Sequence, residues 1–395
     1  MTPELIQHYR SETPGVPYRT HFNNAGAAFA PQPVMDAIQK HLQLEIEMGG
    51  YEAEAAAHAE INTFYTVMAH LLNCQARNIA YTASATDSYN RALSAISFEK
   101  GDVILTTNND YASNQIAFLE LQKRFGIQLI RAEDVPEGGV DVDSMKDLIQ
   151  KYHPKVVAVT HVPTSSGLVQ PVAEIGKICK AENIWYLVDA CQSAGQMPLD
   201  VQQIHCDFLS ATFRKFLRGP RGAGFLYVSD KALEAGLEPI FVDLLSATWT
   251  SPDGYEIRSD ARRFELWERP HALMLGSKAC VEYALNIGLP QIETHVKQLA
   301  DLCREKLSAI SGIKNLDKGK ERCGITTYAV DGWQPAALKT KLQEFKINTS
   351  IAIRTGAQID FGEKGVDWAL RVSPHYYNTE EEIDILAERL TELIR

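Results

Sequence analysis

The chain reads as an α/β protein with a mostly parallel sheet covered by helices on both faces, followed by a smaller α+β unit. Three observations predict this. Short β-branched runs alternate with amphipathic stretches between residues 79 and 190. The runs are apolar at successive rather than alternate positions, as in strands buried on both faces. The stretches between them are long enough to be crossover helices, which parallel pairing requires.

Taken in order, the first fifty residues (1–50) contain a turn-rich FNNAGAA segment between helices and are expected to form an arm and helix that pack on the small unit. A large domain, 51–285, holds the strands IAYT, DVILT, IQLIRA, KVVAVTHV and IWYLVDA, with helices over 113–125, 143–152 and 171–182. GAGFLYV reads as a further strand. Residues 246–259, rich in Ser, Thr, Trp and Asp, read as a loop before two helical patterns at 270–286 and 290–310. The small domain, 286–395, has a strand at GITTYAV, a helix over 335–345 and a strand over 368–372. Its last helix is opened by Asn378, with Glu380, Glu381 and Glu382 in the first turn. No internal repeat or low-complexity tract interrupts the chain.

Bulk composition narrows the function. With 395 residues, 45% hydrophobic and 23% charged, the chain is an ordinary globular sequence able to bury a large core. A net charge of −11 and a pI near 5.5 argue against a nucleic-acid partner, and no basic block suggests an anionic membrane. No apolar run reaches the length of a membrane span, and MTPELIQHYRSETPG lacks the pattern of a secretory signal, so a cytoplasmic protein is expected. Seven cysteines without a C-x-x-C pair fit reduced thiols, mostly in the core, rather than disulfides or a metal site.

The chemistry concentrates in VDACQSAGQMPLDVQQIHCDFLSATFRKFLRGPRG. Asp189 stands at a strand end and Lys215 in a short polar turn. A pyridoxal phosphate (PLP) enzyme needs such a pair: a carboxylate keeps the ring nitrogen protonated, so that the ring accepts electrons, and an amine holds the aldehyde as a Schiff base. Lys215, once released, is also suited to take a proton, because burial and a nearby cation lower the pKa of an amine. Ser84, Ala85 and Thr86 open a helix whose free amides and dipole favour a phosphate, with the Thr86 hydroxyl as a further donor. Each has a plainer reading: a surface lysine, a helix cap at Asp189, an ordinary N-cap at Ser84.

With these residues in place, the chain resembles the class V aminotransferase group of fold-type I PLP enzymes. FNNAGAAF, YTASATDSYN, NNDYASN, HVPTSSGLVQP, VDACQSAG, RFELWE and RVSPHYYNTEEEID carry the resemblance over nearly the whole chain. It implies a mostly parallel seven-stranded sheet in the large domain, pyridoxal 5'-phosphate as cofactor, an amino-acid substrate and a homodimer. RKFLRGPRG, RFELWE, ERCGITTY and SPHYYNTEEE look most like the ergothioneine-pathway carbon-sulfur lyases, which cleave a cysteine sulfoxide conjugate.

The resemblance also implies roles. Gln192 would donate to the phenolic oxygen of the cofactor. Thr212 and Arg214 match the Ser and His of an S-G-H-K loop, with arginine supplying a charge-assisted phosphate contact. Tyr111 takes the place of a ring-stacking histidine; a phenol titrates near pH ~10 and carries protons poorly at neutrality, which weakens a desulfurase reading. Arg371 would hold the substrate carboxylate, and Asn23, Asn24, Gly26 and Thr164 line the substrate side. His375, Tyr376 and Arg263 are assigned to substrate or a neighbouring subunit, and Trp249, Tyr255 and Trp267 to a roomy pocket between subunits. Trp267 and Glu268 stand where relatives carry a Gly-Thr pair that reaches the partner's phosphate, so that contact is in question.

Desulfurases carry a nucleophilic cysteine on a late loop, whereas NTSIAIRTGAQIDF here has none. The expected reaction is therefore β-elimination of a cysteine S-conjugate or its sulfoxide to a sulfur product, pyruvate and ammonia. The rivals are a cysteine or selenocysteine desulfurase, a transaminase or epimerase, and a PLP-binding protein without catalysis.

Overall fold

The computed structural model describes residues 1–394. Seven strands form the large sheet in the order Ile79–Thr82, Gly224–Val228, Phe208–Thr212, Trp185–Asp189, Val156–Thr160, Val103–Thr106, Gln128–Arg131. Only Gly224–Val228 runs against the others. Most of these strand residues are buried, and two apolar clusters cover the two faces, one around Phe64, Leu105 and Val188 and the other around Phe118, Leu187 and Phe264. Because the remaining strands are parallel, Thr82, Thr106, Thr160, Asp189 and Thr212 all end at the same edge of the sheet. Ligands in open α/β sheets bind outside that edge.

Two elements differ from expectation. Phe208–Thr212 is a sixth parallel strand that sequence reading passed over, because Ser210 and Thr212 break its apolar run just before the lysine turn. Residues 246–259 form a hairpin of Ala247–Ser251 on Gly254–Ile257 instead of a loop. Threonine and aromatic side chains favour pleated backbone, and Pro252, Asp253 and Gly254 supply the turn.

The small domain is a four-stranded antiparallel sheet in the order Ile313–Asn315, Thr326–Val330, Trp368–Val372, Ser350–Ile353. The helices Leu289–Ser308 and Glu380–Ile394 close over it around Leu299, Leu307, Tyr328, Leu370 and Leu386. Residues 1–50 divide between the two parts. Thr20–His21 pairs in parallel with Ile347–Asn348, and Asn23 bridges to Ser373. Helix Gln32–Met48 lies instead on His271–Ile287, where a Cβ on Gly276 would come within 2.5 Å of Ile38.

Arg218 joins these regions. It is 1% exposed and donates to the Phe29 carbonyl at 2.8 Å, the Tyr376 hydroxyl at 2.7 Å and Thr13 Oγ1 at 2.6 Å. The Tyr377 ring, 4.4 Å from the guanidinium carbon, covers one side. No helix among the described residues is long and apolar enough to cross a membrane.

Candidate active site

Asp189 is the last residue of the central strand and is 4% exposed. Its carboxylate accepts from Asn114 Nδ2 and from the Cys191 backbone N–H, both at 2.9 Å. Burial pushes its pKa up, and these two donors and the more distant Lys215 oppose that shift. Among the described residues no cation lies within 4.0 Å of it. A buried carboxylate without a counter-charge is unfavourable, so the arrangement calls for a cationic N–H from a bound group.

Lys215 is 5% exposed and sits in a turn closed by Arg218 N donating to the Lys215 carbonyl and Gly219 N donating to the Phe213 carbonyl. The turn is pressed against Gly195, whose φ is +93° and where an added Cβ would stand 2.4 Å from Leu217 N, leaving no room for a side chain. Burial lowers the pKa of the amine, Arg214 and Arg371 add to this, and Cys191 and Asp189 oppose it. This amine too has no carboxylate within 4.0 Å among the described residues.

Ser84 caps helix Ala85–Ser94, its hydroxyl accepting from Asp87 N at 3.1 Å. The hydroxyl is thus occupied by the helix, and the first-turn amides are what remains for an anion. Gly224, on the antiparallel strand, lies so close that a Cβ there would stand 2.5 Å from the Ser84 carbonyl carbon and 2.8 Å from Ala85 N. Gly224→Ala should therefore displace this first turn and weaken cofactor binding at least about tenfold, by the magnitude of a displaced charge-assisted contact. Fluorescence titration of apoprotein with PLP measures it, and unchanged affinity would remove the helix from the phosphate site.

Thr212 donates to the Ala223 carbonyl at 3.1 Å, and Arg214 donates to the Gly26 carbonyl, tying the lysine turn to the arm. Gln192 donates to the Ala25 carbonyl at 3.1 Å while its buried Oε1 has no partner. Tyr111 begins helix Ala112–Phe125, with its backbone N–H on Thr160 Oγ1 at 3.0 Å.

Beneath Tyr111 lies Asp110, which accepts from Thr160 N at 2.8 Å, from Gln115 Nε2 at 3.1 Å and from the Thr106 hydroxyl. Burial raises its pKa from 3.8 to about 7. The fold therefore binds one more proton than the unfolded chain between these values. That contribution to stability is complete below about pH 4 and is lost as pH rises through about 7, with a slope of up to about 1.4 kcal/mol per pH unit. Asp110→Asn should abolish this slope, as read from urea melts across the interval; an unchanged slope would assign it to another group.

Ser84, Ala85, Thr86, Tyr111, Thr164, Asp189, Gln192, Thr212, Arg214 and Lys215 line one cleft of about 70 Å³. Arg371 stands at its rim, donating to the Thr164 carbonyl at 3.3 Å and to Asn23 Oδ1 at 3.5 Å. Burial brings its pKa down to about 10, which leaves it cationic at neutral pH.

Two expected substrate contacts are not brought there. Asn24 is buried on the His21 and Ser373 carbonyls and accepts from Tyr377. His375 is fully buried, with Nε2 on the Phe216 carbonyl and Nδ1 accepting from Tyr376 N. Both ring nitrogens of His375 and both polar atoms of the Asn24 side chain are thus engaged within the fold. Tyr376 is likewise engaged by Arg218, and Arg263 donates to the Leu233 and Leu237 carbonyls away from the cleft.

Sequence reading missed Asn114, Thr160 and Cys191 in the cleft wall. Asn114 was signalled by its i+3 spacing from Tyr111 on one helix face. Cys191 had been counted with the core cysteines.

PLP fits these residues. Asp189 lacks a cation that the ring N–H supplies, Lys215 is a buried amine without a carboxylate, Gln192 Oε1 is unpartnered, and the Gly224 approach holds amides open for a phosphate.

A model of the Aminotransferase class-V family matches residues 20–386. Among curated relatives, a probable cysteine desulfurase of Methanothermobacter thermautotrophicus is 28% identical over 97% of each chain. A probable hercynylcysteine sulfoxide lyase of Mycobacterium tuberculosis is 26% identical over 98% of this chain and 93% of its own. Among solved structures, an apo cysteine desulfurase from Thermococcus onnurineus NA1 superposes with a TM-score of 0.90 at 26% identity, over 100% of this chain and 98% of that one.

Proposed function

The chain belongs to the class V aminotransferase family, whose cofactor is PLP, and on that premise we propose that it is an enzyme that removes sulfur from cysteine or a cysteine-derived amino acid. The observation that carries this reading is the cleft itself: a buried carboxylate, a buried amine with lowered pKa and a rim arginine converge where an α-amino acid would lie. The names of the relatives weigh towards desulfuration of cysteine rather than towards the sulfoxide lyase that the sequence motifs suggested.

Bound PLP supplies an electron sink for negative charge developing at Cα. Asp189 would hold its ring nitrogen protonated, and the first-turn amides at Ser84, Ala85 and Thr86 with Thr212 and Arg214 would hold its phosphate. Arg371 fixes the substrate carboxylate by its two-donor fork and so selects which Cα bond stands ready to break. Lys215 takes the Cα proton. Its environment favours the neutral amine, the form a base requires. Tyr111 and Thr164 wall the cleft.

The Cβ–S bond then breaks in one of two ways: in elimination the sulfur leaves with the bonding electron pair, and in desulfuration an attacking thiolate takes the sulfur and leaves that pair on Cβ, which is protonated. Segment 348–361 contains no thiol to receive it, and the one cleft thiol, Cys191, has a pKa raised by burial, which disfavours the nucleophilic thiolate. The sulfur is therefore released to a small acceptor. Two balanced outcomes follow: cysteine plus a thiol gives alanine and a persulfide, or a cysteine conjugate plus water gives a thiol, pyruvate and ammonium. The thiol-free segment favours the second, and the relatives favour the first.

The purified holoenzyme, given cysteine, cysteine disulfides, S-conjugates and sulfoxides, should yield alanine with persulfide or pyruvate with ammonia. Neither pair from any of them would end the proposal. We place the chemistry in a cytoplasmic homodimer, in which a second copy would cover exposed aromatic side chains such as Phe241, Trp249 and Trp267, Trp249 being 79% exposed. Light scattering reads the mass directly.

A further inference from the structure

A second cavity of about 190 Å³ lies behind the Tyr111 wall. Tyr111 and Thr164 face the cleft, while Asp110, Ala112 and Ser165 line the cavity, so a single thickness of chain separates the two. Its far wall is the segment 355–360 of the small domain.

Three buried polar atoms in it lack a hydrogen-bond partner, Arg131 Nε, Asn109 Oδ1 and Asp360 Oδ1, and the charge of Asp360 is balanced by Lys318 at 3.0 Å and Lys364 at 2.7 Å. Arg131 donates through Nη2 to Gln115 Oε1 at 2.6 Å, but its buried Nε has no partner, and no carboxylate among the described residues lies within 4.0 Å of the guanidinium. Asn109 is 3% exposed; its Nδ2 donates to Asp134 Oδ2 at 2.7 Å, which fixes the amide orientation and leaves the buried Oδ1 unpartnered. A buried donor or acceptor left without a partner is unfavourable, so such groups are retained where a ligand completes them. Ile116 and Leu119, both exposed on the adjoining helix, give the cavity an apolar side.

We propose that this cavity is a second binding subsite for a carboxylate with an N–H beside it, as in an acylated amino acid, with the carboxylate on Arg131 and the N–H on Asn109. It deepens the sulfur-removal reading and rests on it in one respect: the ligand is the distal half of a cysteine conjugate whose reacting half occupies the cleft, the linker passing over the solvent side of the 110–112 wall, where both cavities open. A guanidinium suits this role because its planar fork pairs with both carboxylate oxygens.

N-acetylglycine is the probe, since it carries both groups and no free amine to react with the cofactor. Calorimetric titration of the holoenzyme should show binding at least about tenfold tighter than for N-acetylglycinamide. Arg131→Gln should lose that difference and Arg131→Lys should recover part of it, with thermal melts confirming folded variants. Equal binding in Arg131→Gln, or loss confined to Arg371→Gln, would overturn the proposal, the latter because the probe then sits at the substrate-carboxylate position.

A kinetic arm identifies the source of the ligand. The mixed disulfide of cysteine with N-acetylcysteine should exceed that of cysteine with methanethiol in kcat/KM, and Arg131→Gln should collapse the ratio. N-acetylglycine competing with the first disulfide supports a distal substrate group; binding together with it overturns that assignment in favour of a separate effector. If no product forms from either disulfide while the probe still binds through Arg131, the sulfur-removal reading fails and the subsite stands.

Discussion

Lys215→Ala lowers turnover by at least about a thousandfold and leaves a protein that takes up PLP without a covalent link, because the substitution removes both the amine that holds the aldehyde and the base for the Cα proton. The surroundings make the loss hard to bypass. The amine is buried in a turn braced by Gly195, so water or a neighbouring side chain has no ready route to its position. Cys191, the nearest polar side chain in the wall, has a thiol whose pKa is raised by burial and cannot substitute as a base at neutral pH. Borohydride reduction with peptide mass mapping should label position 215 in the native chain and nothing in the variant. Retained turnover, or a label elsewhere, would place the chemistry on another residue.

Asp189→Asn should reduce kcat by about a hundredfold or more while leaving the covalent link at Lys215 intact, since breaking a buried charge pair is worth about 3–5 kcal/mol. The asparagine is nearly isosteric, but it has one acceptor oxygen where the aspartate offered two to Asn114 and the Cys191 N–H. Its new amide N–H would also point at a ring nitrogen that has lost its reason to stay protonated. The absorbance of the bound cofactor should shift with the proton, and kcat should fall by a larger factor than the affinity for the cofactor. Unaltered kcat would mean that another group, or none, sets the charge of the ring.

The sheet was legible because strands buried on both faces leave an unmistakable apolar signature, and the chemistry because Asp189 and Lys215 sit at breaks in that signature. Phe208–Thr212 was overlooked for the same physical reason in reverse: Ser210 and Thr212 are buried at the cleft edge, where a strand needs polar ends. Asn24 and His375 carried no local mark of their structural duty. Their partners lie far away in the sequence, at Ser373 and Phe216, and long-range pairing of that kind has no periodicity to betray it. The cavity at Arg131 escaped for a related reason, since its walls come from residues 108–131 and 355–360 and only the fold makes them neighbours.

Arg218 clasps Thr13, Phe29 and Tyr376 three residues from the reactive amine. Its charge can be sheltered only after both ends of the polypeptide have returned to the middle, and contacts of such sequence separation form slowly. During synthesis the parallel sheet and the lysine turn's own hydrogen bonds can form while the last segment is still hidden in the ribosome, but Arg218 then lacks its Tyr376 contact. A chain lacking its last segment would therefore present the lysine turn without the contact that completes the shelter of Arg218.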